Sequence, residues 1–289
     1  MKQPINKPTL EQKIKNSLRH PVSLLIFLLV IAGAIATFFI LIYLIAYILA
    51  NGIPYLTPSL FEIKYTTENV SLLPSIINTL LITLASLVIA APLGIFTAIY
   101  LVEYAKRGNK FIEIIRLATE TLSGIPSIVY GLFGLLFFVT TMGWGYSLLA
   151  GAFTLGIMIL PLIIRTTEEA LKSVPDQYRE ASFGLGAGKL RTVFIIVLPS
   201  ALPGVLAGII LAIGRVVGET AALIYTAGTV AQIPSSLLDS GRTLAIHMYA
   251  LSSEGLHTNQ AYATAVVLLI MVLIINSLSA FIAKRITKI

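Results

Sequence analysis

The chain has 289 residues, 57% of them hydrophobic and only 11% charged, and its mean hydropathy is +0.92. A soluble domain carries roughly 45–50% apolar and about 25% charged residues, so a water-facing globular enzyme is excluded. The absence of cysteine excludes disulfides, thiolate metal sites and cysteine catalysis, and the net charge of +7 is scattered between apolar stretches rather than gathered into a nucleic-acid surface.

The composition describes an all-α membrane protein embedded in a lipid bilayer. Lipid forbids unsatisfied backbone polar groups, so each long apolar stretch is expected to be a helix, with about 20 residues per crossing. A basic tail, 1–21, leads into a first stretch, 22–50, that carries no charge. It is too long for a signal-peptide core of about 7–15 residues and reads as an uncleaved span. The second stretch, 72–102, has Pro74 near its start and a kink expected at Pro92. The third, 122–142, and the fourth, 148–164, are separated by Gly143-Trp144-Gly145-Tyr146. The fifth and sixth are 194–217 and 261–283, so a six-span permease domain fills 22–289.

Charge orients the spans. Seventeen of the 20 basic residues fall in 1–21, 103–120, 165–192 and 284–289, which lie on one side of such an arrangement. Only Lys64 and Arg242 fall on the other side, and Arg215 falls inside the fifth span. Basic loops stay in the cytoplasm, so both termini are expected there. On the opposite side, Ala221 to Leu238 is apolar but broken by Gly228 and Pro234. Its length leaves a re-entrant segment and a surface helix equally open.

The segment from Ser182 to Lys189 is glycine-rich but is no phosphate loop. The required glycine position holds Phe183, and the Ser or Thr after the lysine is Leu190. It reads better as a docking element, with a helix expected over Asp176 to Phe183 and a sharp turn at Gly186. The order Glu180-Ala181-Ser182, three residues, Gly186, nine residues, Ile196-Val197-Leu198-Pro199 resembles the EAA loop of ABC importer permeases. Ser182 in place of the second alanine is the one departure. The resemblance implies a type I importer permease fold, with loop 165–192 carrying a coupling helix that docks on an ATPase through Glu180, Ala181, Ser182 and Gly186. The stretches Ser123-Gly124-Ile125-Pro126-Ser127 and Gly214-Arg215-Val216-Val217-Gly218-Glu219-Thr220 are similar to Pst-type phosphate permeases, and Gln260-Ala261-Tyr262-Ala263-Thr264-Ala265 resembles their A-type subunit.

Arg215 also invites a functional reading by itself. A charge inside a span needs a partner or a cavity, and Glu219, four residues on, is expected on the same helical face. Arginine suits phosphate because its planar fork binds two oxygens at once. Arg215 and Glu219 are therefore the expected substrate path, against a purely structural Arg–Glu pair. The spacings Gly204/Gly208 and Gly214/Gly218 suggest close helix contacts. The scattered His20, His247 and His257 suggest no metal or proton-transfer site, and Asn69-Val70-Ser71 matches a glycosylation acceptor only by a short pattern.

The Pst resemblance implies a non-enzymatic inner-membrane subunit of a phosphate importer, with no cofactor in this chain. A C-type permease, two copies of an ATPase holding ATP and magnesium, and an extracytoplasmic phosphate-binding protein are its implied partners. The alternatives are an ABC permease for another oxyanion or solute and a secondary transporter or channel.

Overall fold

Long apolar sequence in lipid must close its own backbone hydrogen bonds, and every regular element among the described residues of the computed structural model is helical. The structure describes residues 21–105 and 108–286; residues 1–20 of the expected basic tail, with Lys106, Arg107 and Lys288, fall outside them. Two units are distinguished, 1–51 and 52–289. The first holds nearly all of helix α1 (Pro21–Gly52), whose apolar side chains are exposed around the whole circumference. A helix without a polar face suits lipid rather than water.

The second unit contains α2 (Leu73–Tyr104), α3 (Lys110–Ser123), α4 (Ser127–Thr141), α5 (Leu148–Lys172) and α6 (Asp176–Gly184). It continues through α7 (Lys189–Val217), the single turn α8 (Ala221–Ile224), α9 (Leu244–Glu254) and α10 (Thr258–Ile286). Helices α1, α2, α5, α7 and α10 are long and apolar enough to cross a membrane, and the bent pair α3–α4 makes a sixth crossing if counted as one. Three helices contain a wider π turn: α2 at Tyr100–Tyr104, α4 at Leu135–Thr141 and α7 at Val193–Val197.

The third apolar stretch is not one straight helix from 122 to 142. Helices α3 and α4 meet at 105°, and Leu122 and Ser123 belong to α3. Pro126 has no N–H to continue the ladder, while Gly124 and Ile125 donate to the Thr121 and Leu122 carbonyls at 3.1 Å each and close the helix end. The Tyr130 hydroxyl then donates to the Leu122 carbonyl at 2.7 Å and braces the corner. Elsewhere helices outrun their apolar stretches: α5 continues past Ile164 to Lys172, and α7 begins at Lys189. Hydropathy marks where lipid ends, whereas the backbone stays helical through the charged turns beyond.

Helix α5 is the hub. Leu155, Met158, Ile159 and Ile163 are buried with Ile82 and Ala90 of α2, Ala212 and Val216 of α7, and Leu223 of α8. Nearer α6, Ala170 and Leu171 join Ala98 and Leu101 of α2 and Val197, Ala201 and Val205 of α7. A side chain at Gly204 or Gly208 would collide with Ala170 or Thr166, so this glycine pair does bring α7 close to α5. At Gly214 and Gly218 no side chain of another helix stands where a Cβ would be, so the described residues supply no such contact for this second pair. A third cluster, at the end remote from α6, joins Leu60, Leu72, Val217, Leu244, Leu251 and Ala261.

Residues 221–238 form neither a surface helix nor a continuous one. After α8 the chain is irregular up to Thr243, and its backbone groups are taken by the helices around it. The Leu148 and Leu149 amides, orphan donors at the start of α5, bond the Asp239 and Leu237 carbonyls at 3.0 and 2.8 Å. Asn78 Nδ2 donates to the Gln232 and Arg242 carbonyls at 3.0 and 3.1 Å, and Thr79 Oγ1 accepts from the Leu244 amide at 2.9 Å. Irregular backbone is tolerable at depth only when protein satisfies it in this way.

Candidate functional site

Helices α3, α5 and α7 together line a cavity of about 350 Å³. Four basic residues, Arg116, Arg165, Lys172 and Arg215, face it with Glu120, Glu168 and Glu169. One helical turn brings Arg165 to Glu169 at 3.3 Å and Lys172 to Glu168 at 2.6 Å, and Arg116 reaches Glu168 at 3.4 Å. These three cations are paired, Arg116 and Lys172 sharing the Glu168 carboxylate. Arg215, exposed in the last turn of α7, forms no ion pair among the described residues. The expected pair with Glu219 is not made, because Glu219 lies beyond the helix end and its Oε1 accepts from the Ala222 amide at 3.1 Å instead. Glu219 caps α8, and Arg215 is left free at the cavity.

The expected docking helix is present as α6, after Pro175. Its anchor is Arg179, which the sequence motif passes over. Arg179 Nη2 donates to Glu103 Oε1 at 2.7 Å and to the Leu171 carbonyl at 2.9 Å; Nε reaches the same Oε1 at 3.1 Å. Nη1 donates to the Val174 carbonyl at 2.8 Å and to Asp176 at 3.2 Å. One guanidinium thus ties α6 to the end of α2 and to the last turn of α5. Glu180 and Ala181 are exposed, and Glu180 makes no ion pair among the described residues, so the helix is not oriented by that carboxylate. Ser182 does not belong to the outer surface: it is 3% exposed, and its hydroxyl bonds that of Thr192 at 2.8 Å. Gly186 turns the chain at φ +81°, with open space where a Cβ would stand. No local spacing reveals Glu103, which lies far upstream of Arg179 in the chain.

At the remote end, His247 of α9 is fully buried beneath Tyr65, edge to face at 6.1 Å. Burial first, and the Arg242 charge second, push its imidazole down to about 3, with the Val70 backbone acting in the opposite direction. Val70 itself sits at φ 40°, an unfavourable conformation for a β-branched residue. The folded state keeps His247 neutral, whereas an unfolded histidine takes a proton near pH 6.5. Stability should therefore fall as pH drops from about 6.5 towards 3, by up to about 1.4 kcal/mol per unit from this group. The melting temperature of the purified protein followed from pH 7 to 5 checks this, and His247→Gln should flatten the slope. Nearby, Asp239 accepts from Ser235 Oγ at 2.7 Å and from the Ser235 and Ser236 amides, which lowers its carboxyl below the usual range.

The family described as "Binding-protein-dependent transport system inner membrane component" matches residues 90–288. The chain belongs to that family. It is an integral inner-membrane permease subunit of an ABC importer. The permease is 35% identical over 267 residues to the probable ABC transporter permease protein YqgI of Bacillus subtilis, covering 86% of this chain and 90% of that one. It is 36% identical over 204 residues to the phosphate transport system permease protein PstA of Mycobacterium leprae, covering 68% and 66% of the two chains. Among solved structures, a bacterial alginate ABC transporter shares its fold at a TM-score of 0.69 and 14% identity, over 96% of this chain and 98% of that one. The MetNI methionine ABC transporter does so at 0.57 and 21%, over 74% and 93%.

Proposed function

We propose that the permease is a transmembrane subunit of an ATP-driven importer of inorganic phosphate, and that the ion passes Arg215. The observation that carries this reading is the free Arg215 guanidinium on a cavity whose other cations are already paired. A planar fork without a carboxylate partner is suited to a tetrahedral oxyanion. The likeness to a protein named PstA favours phosphate. Another oxyanion is the second reading, since the fork fits any of them and the YqgI relative is named without a substrate.

In this reading a second, C-type permease completes the path and a soluble binding protein delivers phosphate from outside. Two ATPase copies, holding ATP and magnesium, receive α6 through its exposed Glu180 and Ala181 and the turn over Leu185 and Gly186. Loop 165–192 then lies in the cytoplasm with both termini. Single cysteines at Ser173 and Ser252, both exposed, should react with an impermeant thiol reagent in intact cells only at position 252. Labelling at 173 alone inverts the orientation.

Gly186→Val tests the docking turn. A left-handed backbone costs an L-residue roughly 1–2 kcal/mol, and the open space around the site means that conformation rather than collision is responsible. Assembled Gly186→Val complexes should hydrolyse ATP without transporting, and Gly186→Ala should show a milder form of the same defect. The function itself is tested in liposomes by comparing phosphate with sulfate, both for uptake and for stimulation of ATP hydrolysis. Phosphate should dominate both readouts; equal or greater responses to sulfate reject the phosphate assignment.

A further inference from the structure

A second cation without a counter-ion lies at the end of the bundle remote from α6. Arg242, just before α9, is only 6% exposed, and its Nε and Nη2 have no hydrogen-bond partner. No carboxylate pairs with it among the described residues. Its guanidinium lies under the ring of Tyr65, 4.6 Å from the centroid. The same ring meets the fully buried His247 edge to face. Beside Arg242 in the chain, the Thr243 hydroxyl is 1% exposed and also unpartnered, although Thr243 holds the N-cap position of α9.

A guanidinium cannot shed its proton, and burying it without a counter-charge is strongly unfavourable. The tyrosine face offers partial relief but leaves the N–H groups unbonded. Nε and Nη2 form one edge of the plane, with two parallel donors spaced for two oxygens of a single anion. The N-terminus of an 11-residue helix adds partial positive charge beside them. A cation is repelled here, and an apolar occupant leaves the donors unsatisfied. Tyr65, half-exposed, is the cover. Its loop is braced by Asn69, whose Nδ2 donates to Glu62 at 2.8 Å and to the Lys64 carbonyl at 2.9 Å and whose Oδ1 accepts from the Thr66 amide at 2.9 Å.

We propose that Arg242, with His247 and the first turn of α9, binds a small tetrahedral oxyanion beneath Tyr65. This rests on the reading of the permease as a phosphate importer and adds a holding point distinct from Arg215. Val217, two residues after Arg215, packs in one cluster with Leu244 and Leu60. Arg242 therefore occupies the layer beyond Arg215 as seen from α6, where an incoming ion arrives first.

The test uses the full complex of both permeases and the ATPase in liposomes, with inorganic phosphate as the probe. Arg242→Met should raise the half-saturating phosphate concentration for uptake by about tenfold or more, the loss of one bidentate charge-assisted contact. Arg242→Lys, which keeps the charge and loses the fork, should raise it in the same direction. Without ATP, phosphate should raise the Tm of the wild-type complex, and less so with Arg242→Met. Unchanged half-saturation and unchanged Tm shifts in both variants overturn the site. So does failed assembly of Arg242→Met that Arg242→Lys restores with wild-type half-saturation, which marks a structural cation facing a partner's carboxylate. If the wild-type complex moves sulfate and not phosphate, the importer assignment fails while the Arg242 site stands or falls on the same shift measured with sulfate.

Discussion

Arg215→Gln should lower phosphate uptake per assembled complex by roughly ten- to a hundredfold, because hydrogen bonds to a charged group are worth about 1.5–3 kcal/mol and each 1.4 kcal/mol is tenfold. Arg215→Lys should fall between it and the wild type, since the charge remains but the two-pronged contact does not. Abundance should change little in either variant, because Arg215 holds no ion pair among the described residues whose loss would leave a buried charge. Glu219→Gln should be nearly silent, since an amide oxygen can still accept from the Ala222 amide. Wild-type uptake in Arg215→Gln complexes would remove Arg215 from the ion path.

The Glu103–Arg179 pair should matter as much, through a different readout. Its side chains are 8% and 14% exposed, and removing one partner of a buried pair costs about 3–5 kcal/mol. That cost falls on the seat of α6 rather than on the hub around α5. Arg179→Met complexes should assemble and hydrolyse ATP, with transport per ATP reduced severalfold or more. Exchanging the two residues should not restore coupling, because a carboxylate at 179 would face the Leu171 and Val174 carbonyls that the guanidinium now satisfies. Full recovery by the exchange would reduce the role of Arg179 to its charge alone.

The helical class, the apolar stretches and the position of α6 were legible because lipid leaves the chain no other way to satisfy its backbone. The corner between α3 and α4 was partly legible: Gly124 and Pro126 were in view, but hydropathy runs through them unbroken. The pairing of Arg215 with Glu219 was misread because a spacing of four is meaningful only while the helix lasts, and α7 stops at Val217. Ser182 was misread for a related reason. A small residue in a docking motif looks like surface, whereas here its hydroxyl closes α6 onto Thr192. Glu103, Arg116 and Arg242 were beyond sequence reasoning, since each acquires its meaning from a neighbour distant in the chain or from the lack of one.

The π turn at Val193–Val197 stands between the α6 seat and Arg215 on a single continuous helix. Such a turn holds an extra residue compared with an α turn, so the two parts of α7 are offset in rotational phase. Deleting one residue from Val193–Val197 would let the ordinary ladder close with the downstream phase nearly unchanged, whereas closing it with all five residues kept would rotate everything downstream by roughly 100° relative to α6. The guanidinium would swing away from the cavity, and Gly204 and Gly208 would leave their places against α5. The wide turn therefore sets the azimuth of the anion-facing side chain, so that the winding of this short segment, and not only its composition, constrains function.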